Sequence, residues 1–311
     1  MSDIAQLRGV IPVPVTPFDA DEGVVLEDVR RQVEAAVRFG LKGICLPAYA
    51  GEFYKLSEGE RLEVVEAAVD ASEGRIAVFA QCNHPSAKQV AETAVICNEL
   101  GADGISFAIP RQFGVPARDL TDYCRRICEA TDLPVLIQDF NPGGPSVGAD
   151  FCASLADACS TFRYVKLEEP MLGAKLRAIR EATEDRIGVL AGWGGMYTPE
   201  LLEQGLAGVM PGLGAADLLQ LMFERGTKGD MDSALDLFEG VLPQIVFSLQ
   251  SIELFLATEK MLLEMRGIIR HTTVRSLKMT LAENLEAHAR RLNERLMEEM
   301  EVEGLAVRPL G

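Results

Sequence analysis

Histidine is nearly missing from this chain. The 311 residues hold only His84, His271 and His288, far apart and in neither an H-x-x-x-H nor an H-E-x-x-H spacing, which argues against a catalytic metal held by histidines. Positive charge is also short: 30 Lys and Arg stand against 47 Asp and Glu, a net charge of −17 with no basic run, so a nucleic-acid backbone or an anionic membrane surface is not an expected partner. No apolar run approaches the roughly 18 residues that a membrane helix needs. The N-terminus lacks a charged-then-apolar signal segment, and the seven cysteines are odd in number and irregularly spaced, which predicts a reduced, cytoplasmic protein. Cys124 and Cys128 stand four apart on a predicted helix without further ligands nearby, and read as small packing residues.

What the chain does have is a rhythm. Short apolar runs recur at residues 9–15 (GVIPVPV), 43–48, 75–81, 104–110, 134–139, 163–168, 186–192 and 207–212, separated by segments of helical period such as LEDVRRQVEAAVRFG and SAKQVAETAVICNELG. SEGE at 57–60 has the spacing of a capping box. Strands apolar at nearly every position, alternating with amphipathic helices, imply a parallel sheet covered by helices. Eight such units predict an α/β fold, a closed (β/α)8 TIM barrel over residues 1–222. Beyond it the pattern turns to continuous helix, a C-terminal helical extension over 223–300 followed by a loose tail at 301–311. The charged last helix is expected to present a solvated face.

Lys166, in RYVKLEEP at 163–170, is out of place in such a strand. In a (β/α)8 barrel the active site gathers at the C-terminal ends of the strands, where Lys166 falls. A desolvated amine there is suited to attack a carbonyl and form a Schiff base. The plainer alternative is a structural lysine paired with Glu168 or Glu169. With no histidine-held metal to polarise a substrate carbonyl, Lys166 is the available group, and no metal or organic cofactor is expected.

GVIPVPVTPF, AGEFYKLSEGER, GADGISFAIP, YVKLEEP and LAGWGG with GVMPG, taken in order, resemble the dihydrodipicolinate synthase/N-acetylneuraminate lyase family of pyruvate-dependent aldolases and lyases, from about residue 8 to about residue 290. The resemblance implies a Schiff-base lyase in which Lys166 condenses with pyruvate or another 2-oxo acid, and a homotetramer or dimer. It also places Gly192 where backbone closes on the keto acid and Met210 among the apolar residues lining the pocket.

Departures from the family pattern fall on its proton relay. Gln138 stands where the Y-N-x-P tyrosine belongs, with Asp139 beside it. Tyr49 and Ala50 replace the threonines of the G-T-T-G-E loop, and PRQFGVP lacks the second tyrosine. The arginine expected after the Y-N-x-P motif is absent too, so the chain reads as a divergent member and not as dihydrodipicolinate synthase itself. A rebuilt relay is expected, with Tyr49 and Asp139 as catalytic groups and Gln138 holding a proton or a water. Tyr49 as a packing residue and Asp139 as a turn cap are the plainer alternatives. Ala50 and Gly51 N–H groups are expected at the substrate carboxylate. Arg111, at the mouth of the fourth strand, is expected either at a distal carboxylate or in an ion pair. Glu52 and Glu169 read as loop-holding residues. Two rival functions remain open: a phosphosugar-binding barrel, suggested by the glycine-rich AGWGG and MPGLGAAD loops, and a non-catalytic 2-oxo acid-binding regulatory protein.

Overall fold

A strand that is apolar on both faces has to be covered on both, and the chain achieves this by closing its sheet into a ring inside a shell of helices. The computed structural model describes residues 7–112, 114–141 and 144–310. Eight parallel strands run in the order β1-β8-β7-β6-β5-β4-β3-β2: β1 (Gly9–Val10), β2 (Gly43–Leu46), β3 (Ala77–Gln81), β4 (Gly104–Ala108), β5 (Val135–Asp139), β6 (Phe162–Leu167), β7 (Gly188–Ala191) and β8 (Gly208–Val209). The ring is nearly closed, the Cys45 N–H donating to the Pro12 carbonyl at 3.0 Å across the seam between β1 and β2.

Alternation along each strand sorts the side chains into two cores. Val165 and Leu167 of β6 join the outer core against the helices, whereas Tyr164 turns inward to meet Phe79, Leu136 and Leu190. Phe79 and Tyr164 meet edge to face, ring centroids 6.2 Å apart, and fill the barrel floor. Two glycines make this possible. A Cβ at Gly104 would lie 2.7 Å from the Phe79 ring and one at Gly188 would lie 2.7 Å from the Tyr164 ring. The Tyr164 hydroxyl accepts the Leu7 N–H at 2.7 Å, tying the entering chain under the barrel.

Helices α1 (Leu26–Arg38), α2 (Glu58–Ser72), α3 (Ala87–Glu99), α4 (Ala117–Cys128), α5 (Ala149–Ala158), α6 (Gly173–Thr183), the short α7 (Thr198–Leu202) and α8 (Ala216–Thr227) connect or follow the strands. Ser57 and Glu60 form the capping box that their spacing predicts: Ser57 Oγ accepts the Glu60 N–H, and Glu60 Oε2 accepts the Ser57 N–H. All seven cysteines are buried and unbridged. Helix α8 packs against β1 and runs past residue 222, so the eighth barrel helix crosses the boundary expected there.

The extension is not one continuous helix. It comprises α9 (Met231–Ser248), α10 (Ile252–Met265) and α11 (Glu283–Val302), with an irregular stretch between α10 and α11. The terminal residues are pinned and not loose: the buried Arg266 guanidinium donates to the Ala306 and Val307 carbonyls, and Arg38 donates to Pro309. Arginine offers five donors: Asp217 takes two, the Gly214 carbonyl one, and the Ala306 and Val307 carbonyls the other two. Among the described residues, no helix is long and apolar enough to cross a membrane.

Candidate active site

The register of the sheet sets Lys166 opposite Gln138 on β5 and Leu190 on β7. Tyr164 faces the barrel axis, so Lys166, two residues on, faces it too. Lys166 is 7% exposed and lies at the bottom of a cavity of ≈ 550 Å³ at the C-terminal ends of the strands, lined also by Tyr49, Ala50, Gln138, Glu168 and Met210.

Glu168 shares the face of Lys166 because strand side chains repeat every second residue. Its Oε1 lies 2.8 Å from Lys166 Nζ and accepts from Gln138 Nε2 at 2.9 Å, while its Oε2 accepts the Trp193 backbone N–H at 2.8 Å. Three donors on three strand ends therefore fix this carboxylate. Gly192 is what makes room, since a Cβ built there would fall on the Glu168 carboxyl group. Of the two pairings considered for Lys166, the contact is with Glu168. Glu169 holds a loop instead, 2.5 Å from Lys175 Nζ and accepting the Ser146 N–H at 2.8 Å.

The expectation that Asp139 faces the mouth beside Lys166 is corrected by strand parity, and of the two alternatives for Arg111 the structure has the ion pair. Asp139 pairs in register with Leu167, not with Lys166, and so points to the outer side of the sheet. Arg111 meets it bidentately, Nε to Oδ1 at 2.9 Å and Nη2 to Oδ2 at 2.7 Å, and Oδ2 also accepts the Val147 N–H at 2.6 Å. Neither side chain lines the cavity. Asp139 thus ties β5 to the chain at Val147, past the FNPGG turn that its capping alternative named.

Tyr49 opens a short 3-10 turn, Tyr49–Gly51, after β2, and packs edge to face on Phe53 and Phe140 at 5.0 and 6.1 Å. Burial raises its phenol above the ordinary value, and the negative charge of Glu168 raises it further, so the hydroxyl keeps its proton and faces a carboxylate field. The Gly51 N–H is occupied by the Ala48 carbonyl at 2.9 Å, whereas among the described residues the Ala50 N–H has no hydrogen-bond partner. Gly192 does not line the cavity itself; it borders it through Glu168.

Several lining residues escaped the sequence analysis: Phe140, Trp193, and Leu249, Ile252 and Phe255 from the extension. The first two directly follow strand ends already recognised. The last three come from the junction of α9 and α10, which only tertiary packing brings over the barrel mouth. Glu52 anchors that junction. Buried in a left-handed conformation, φ 56°, it meets Lys260 Nζ of α10 at 2.5 Å and Lys55 Nζ at 3.1 Å.

A second α10 carboxylate, Glu259, lies under the loop that follows β8. Its Oε1 accepts the Gly214 N–H at 2.6 Å, in space left by Gly212 and Gly214. Burial pushes its carboxyl up to about 7, against the Gly214 and Leu213 N–H groups and the Arg266 charge, which favour the anion. Between its ordinary 4.5 and about 7 the folded protein therefore holds a proton that the unfolded chain has lost, and stability falls as pH rises through that window. Glu259→Gln keeps an oxygen acceptor without the charge. It is expected to raise stability at pH 8 by on the order of 2 kcal/mol and to leave it nearly unchanged at pH 5. Denaturant melts at the two pH values check this, and a gain confined to pH 5 would contradict it.

The chain matches the dihydrodipicolinate synthetase family over residues 6–295. It is 28% identical over 299 residues to the L-2-keto-3-deoxyarabonate dehydratase of Azospirillum brasilense, covering 92% of this chain and 94% of that protein. With the 4-hydroxy-tetrahydrodipicolinate synthase of Methanopyrus kandleri it shares 28% identity over 76% of this chain and 80% of the other. Among solved structures, dihydrodipicolinate synthase from Rhodopseudomonas palustris superposes with a TM-score of 0.86 at 22% identity, covering 94% of this chain and 98% of that one, a likeness of fold.

Proposed function

The chain belongs to the dihydrodipicolinate synthetase family, and from that membership and the cavity geometry we propose that this lyase acts on pyruvate or another 2-oxo acid through a Schiff base on Lys166. The observation that carries the reading is a buried lysine on the cavity floor, 2.8 Å from a carboxylate that is itself held by two further donors. The Lys166 amine attacks the keto carbon once its proton has moved to Glu168. Glu168 returns a proton to the carbinolamine hydroxyl, water leaves, and the iminium draws electrons from the neighbouring carbon. Through the resulting enamine a C–C bond breaks or forms, or a hydroxyl group is expelled. Relatives named as a dehydratase and a synthase are consistent with that shared intermediate.

Tyr49, whose phenol stays protonated beside Glu168, is the group we assign to proton delivery on the mouth side of the imine. Gln138 orients Glu168, and the Ala50 N–H is the donor available to the substrate carboxylate. A phosphosugar is disfavoured because Lys166 is the only Lys or Arg among the described lining residues.

Incubation with pyruvate and borohydride, which reduces an imine to a stable amine, tests the proposal. Peptide mapping is expected to find one reduced pyruvyl group per chain, on the peptide that contains Lys166. No adduct with pyruvate or with a panel of larger 2-oxo acids would sink it.

A further inference from the structure

Resting on that reading, we infer that the distal half of the cavity takes an apolar, planar group, so that the aldehyde joined to or released from the keto acid is aromatic and not a polyol or a second carboxylate. Phe140 stands between Tyr49 and Trp193, ring centroids 6.1 and 6.4 Å away, and forms with them an aromatic wall above Lys166. Leu249, Ile252 and Phe255 of the extension face the same space.

Charge argues in the same direction. Among the described lining residues the only ionic side chains are Lys166 and Glu168, already paired with each other. Arg111, the cation at the mouth of β4, is held bidentately by Asp139 outside the cavity. A distal carboxylate would be stripped of water beside Glu168 with no cation to meet it. A polyol fares little better, because the polar side chains at the rim are partly engaged: Tyr54 donates to Glu253, Gln250 to the Phe247 carbonyl, and Ser251 Oγ caps α10 by accepting the Leu254 N–H. Every sugar hydroxyl beyond the few groups left over would lose a water without gaining a partner. An aromatic ring loses nothing of this kind and stacks edge to face on the wall.

One donor is free. Among the described residues the Trp193 indole N–H is buried without a partner, on a residue held at φ 49°, in the left-handed region.

With pyruvate as the keto acid, enamine C3 bonds to the aldehyde carbon, the aldehyde oxygen takes a proton, and the water lost on imine formation returns on hydrolysis. The product is a 4-aryl-4-hydroxy-2-oxo acid, and the reverse reaction releases the same two molecules.

Two measurements test this. The first compares pyruvate addition to benzaldehyde, glyceraldehyde and succinic semialdehyde. Benzaldehyde is expected to lead in kcat/KM by about 100-fold, the discrimination typical of an apolar pocket. In Ile252→Arg, at a position 42% exposed where folding is not at risk, succinic semialdehyde is expected to gain about tenfold on benzaldehyde. The second measurement titrates benzyl alcohol, which has no carbonyl, against the fluorescence of Trp193, the only tryptophan in the chain. A saturable change is expected. Faster turnover of glyceraldehyde or succinic semialdehyde overturns the inference. Without a pyruvyl adduct the Schiff-base reading falls alone, and the titration then decides, its failure to saturate overturning the aromatic site.

Discussion

Lys166→Ala is expected to give a folded protein with no pyruvyl adduct and turnover lowered by about four orders of magnitude or more. The large loss follows because no second lysine or arginine lines the described cavity, so no neighbouring amine can take over the imine. The cost in stability should be far smaller. Removing one partner of a buried ion pair ordinarily costs about 3–5 kcal/mol, because a charge is left alone. Glu168 is not left alone: Gln138 Nε2 and the Trp193 N–H stay in place, and the carboxylate borders a cavity large enough for water. A loss of about 1–2 kcal/mol is therefore expected. Adding Glu168→Gln to Lys166→Ala should recover part of it, since the remaining charge is then gone. Single-turnover assays, intact mass and denaturant melts read the three effects separately. Turnover within tenfold of wild type would place the chemistry elsewhere.

Lys260→Met is expected to be the most destabilising of the substitutions considered, by about 3–5 kcal/mol. Both Lys260 and Glu52 are fully buried; Nζ also donates to the Thr273 carbonyl at 2.7 Å and lies 4.5 Å from the Phe18 ring centroid. Methionine fills the volume but leaves Glu52 facing a thioether, with Lys55 and the Arg275 N–H as its remaining partners among the described residues. The double variant Glu52→Gln/Lys260→Met should regain most of the loss, because a buried pair replaced as a whole is often neutral. Melts of the two single variants and the double variant close the cycle. Additive losses would show that the pair acts only through separate contacts. Because Glu52 follows the Tyr49–Gly51 turn and Lys260 lies on α10, the single variants should also weaken substrate binding, through the wall that α10 supplies.

The barrel was legible because every strand is a short run apolar on both faces, and every helix carries a stripe to match. Lys166 was legible as the one ammonium in such a run. Glu168 was half legible: the period of two puts it on the face of Lys166, but LEEP offers two adjacent glutamates, and only the glycine at 192 distinguishes which one finds room. Asp139 shows the opposite failure. It adjoins Gln138 in sequence, and at a strand end one residue is the difference between the inside of a barrel and the outside. The aromatic wall was not legible at all, since Tyr49, Phe140 and Trp193 lie on three separate loops and the apolar roof comes from a helix junction far along the chain. No local pattern marks residues whose shared property is the space they enclose.

The packed floor has a kinetic consequence. Phe79 and Tyr164, seated over Gly104 and Gly188, close the far end of the barrel, and Leu7 is tied beneath them. Everything that reaches Lys166 must come through the mouth and leave by it. A molecule resting on the distal wall blocks the way down, so the reactant bound at the lysine has to arrive first and depart last. Such a vessel with one opening imposes an order of addition and release by geometry alone, whatever second reactant it takes, and an excess of that reactant should inhibit by occupying the passage before the first has passed.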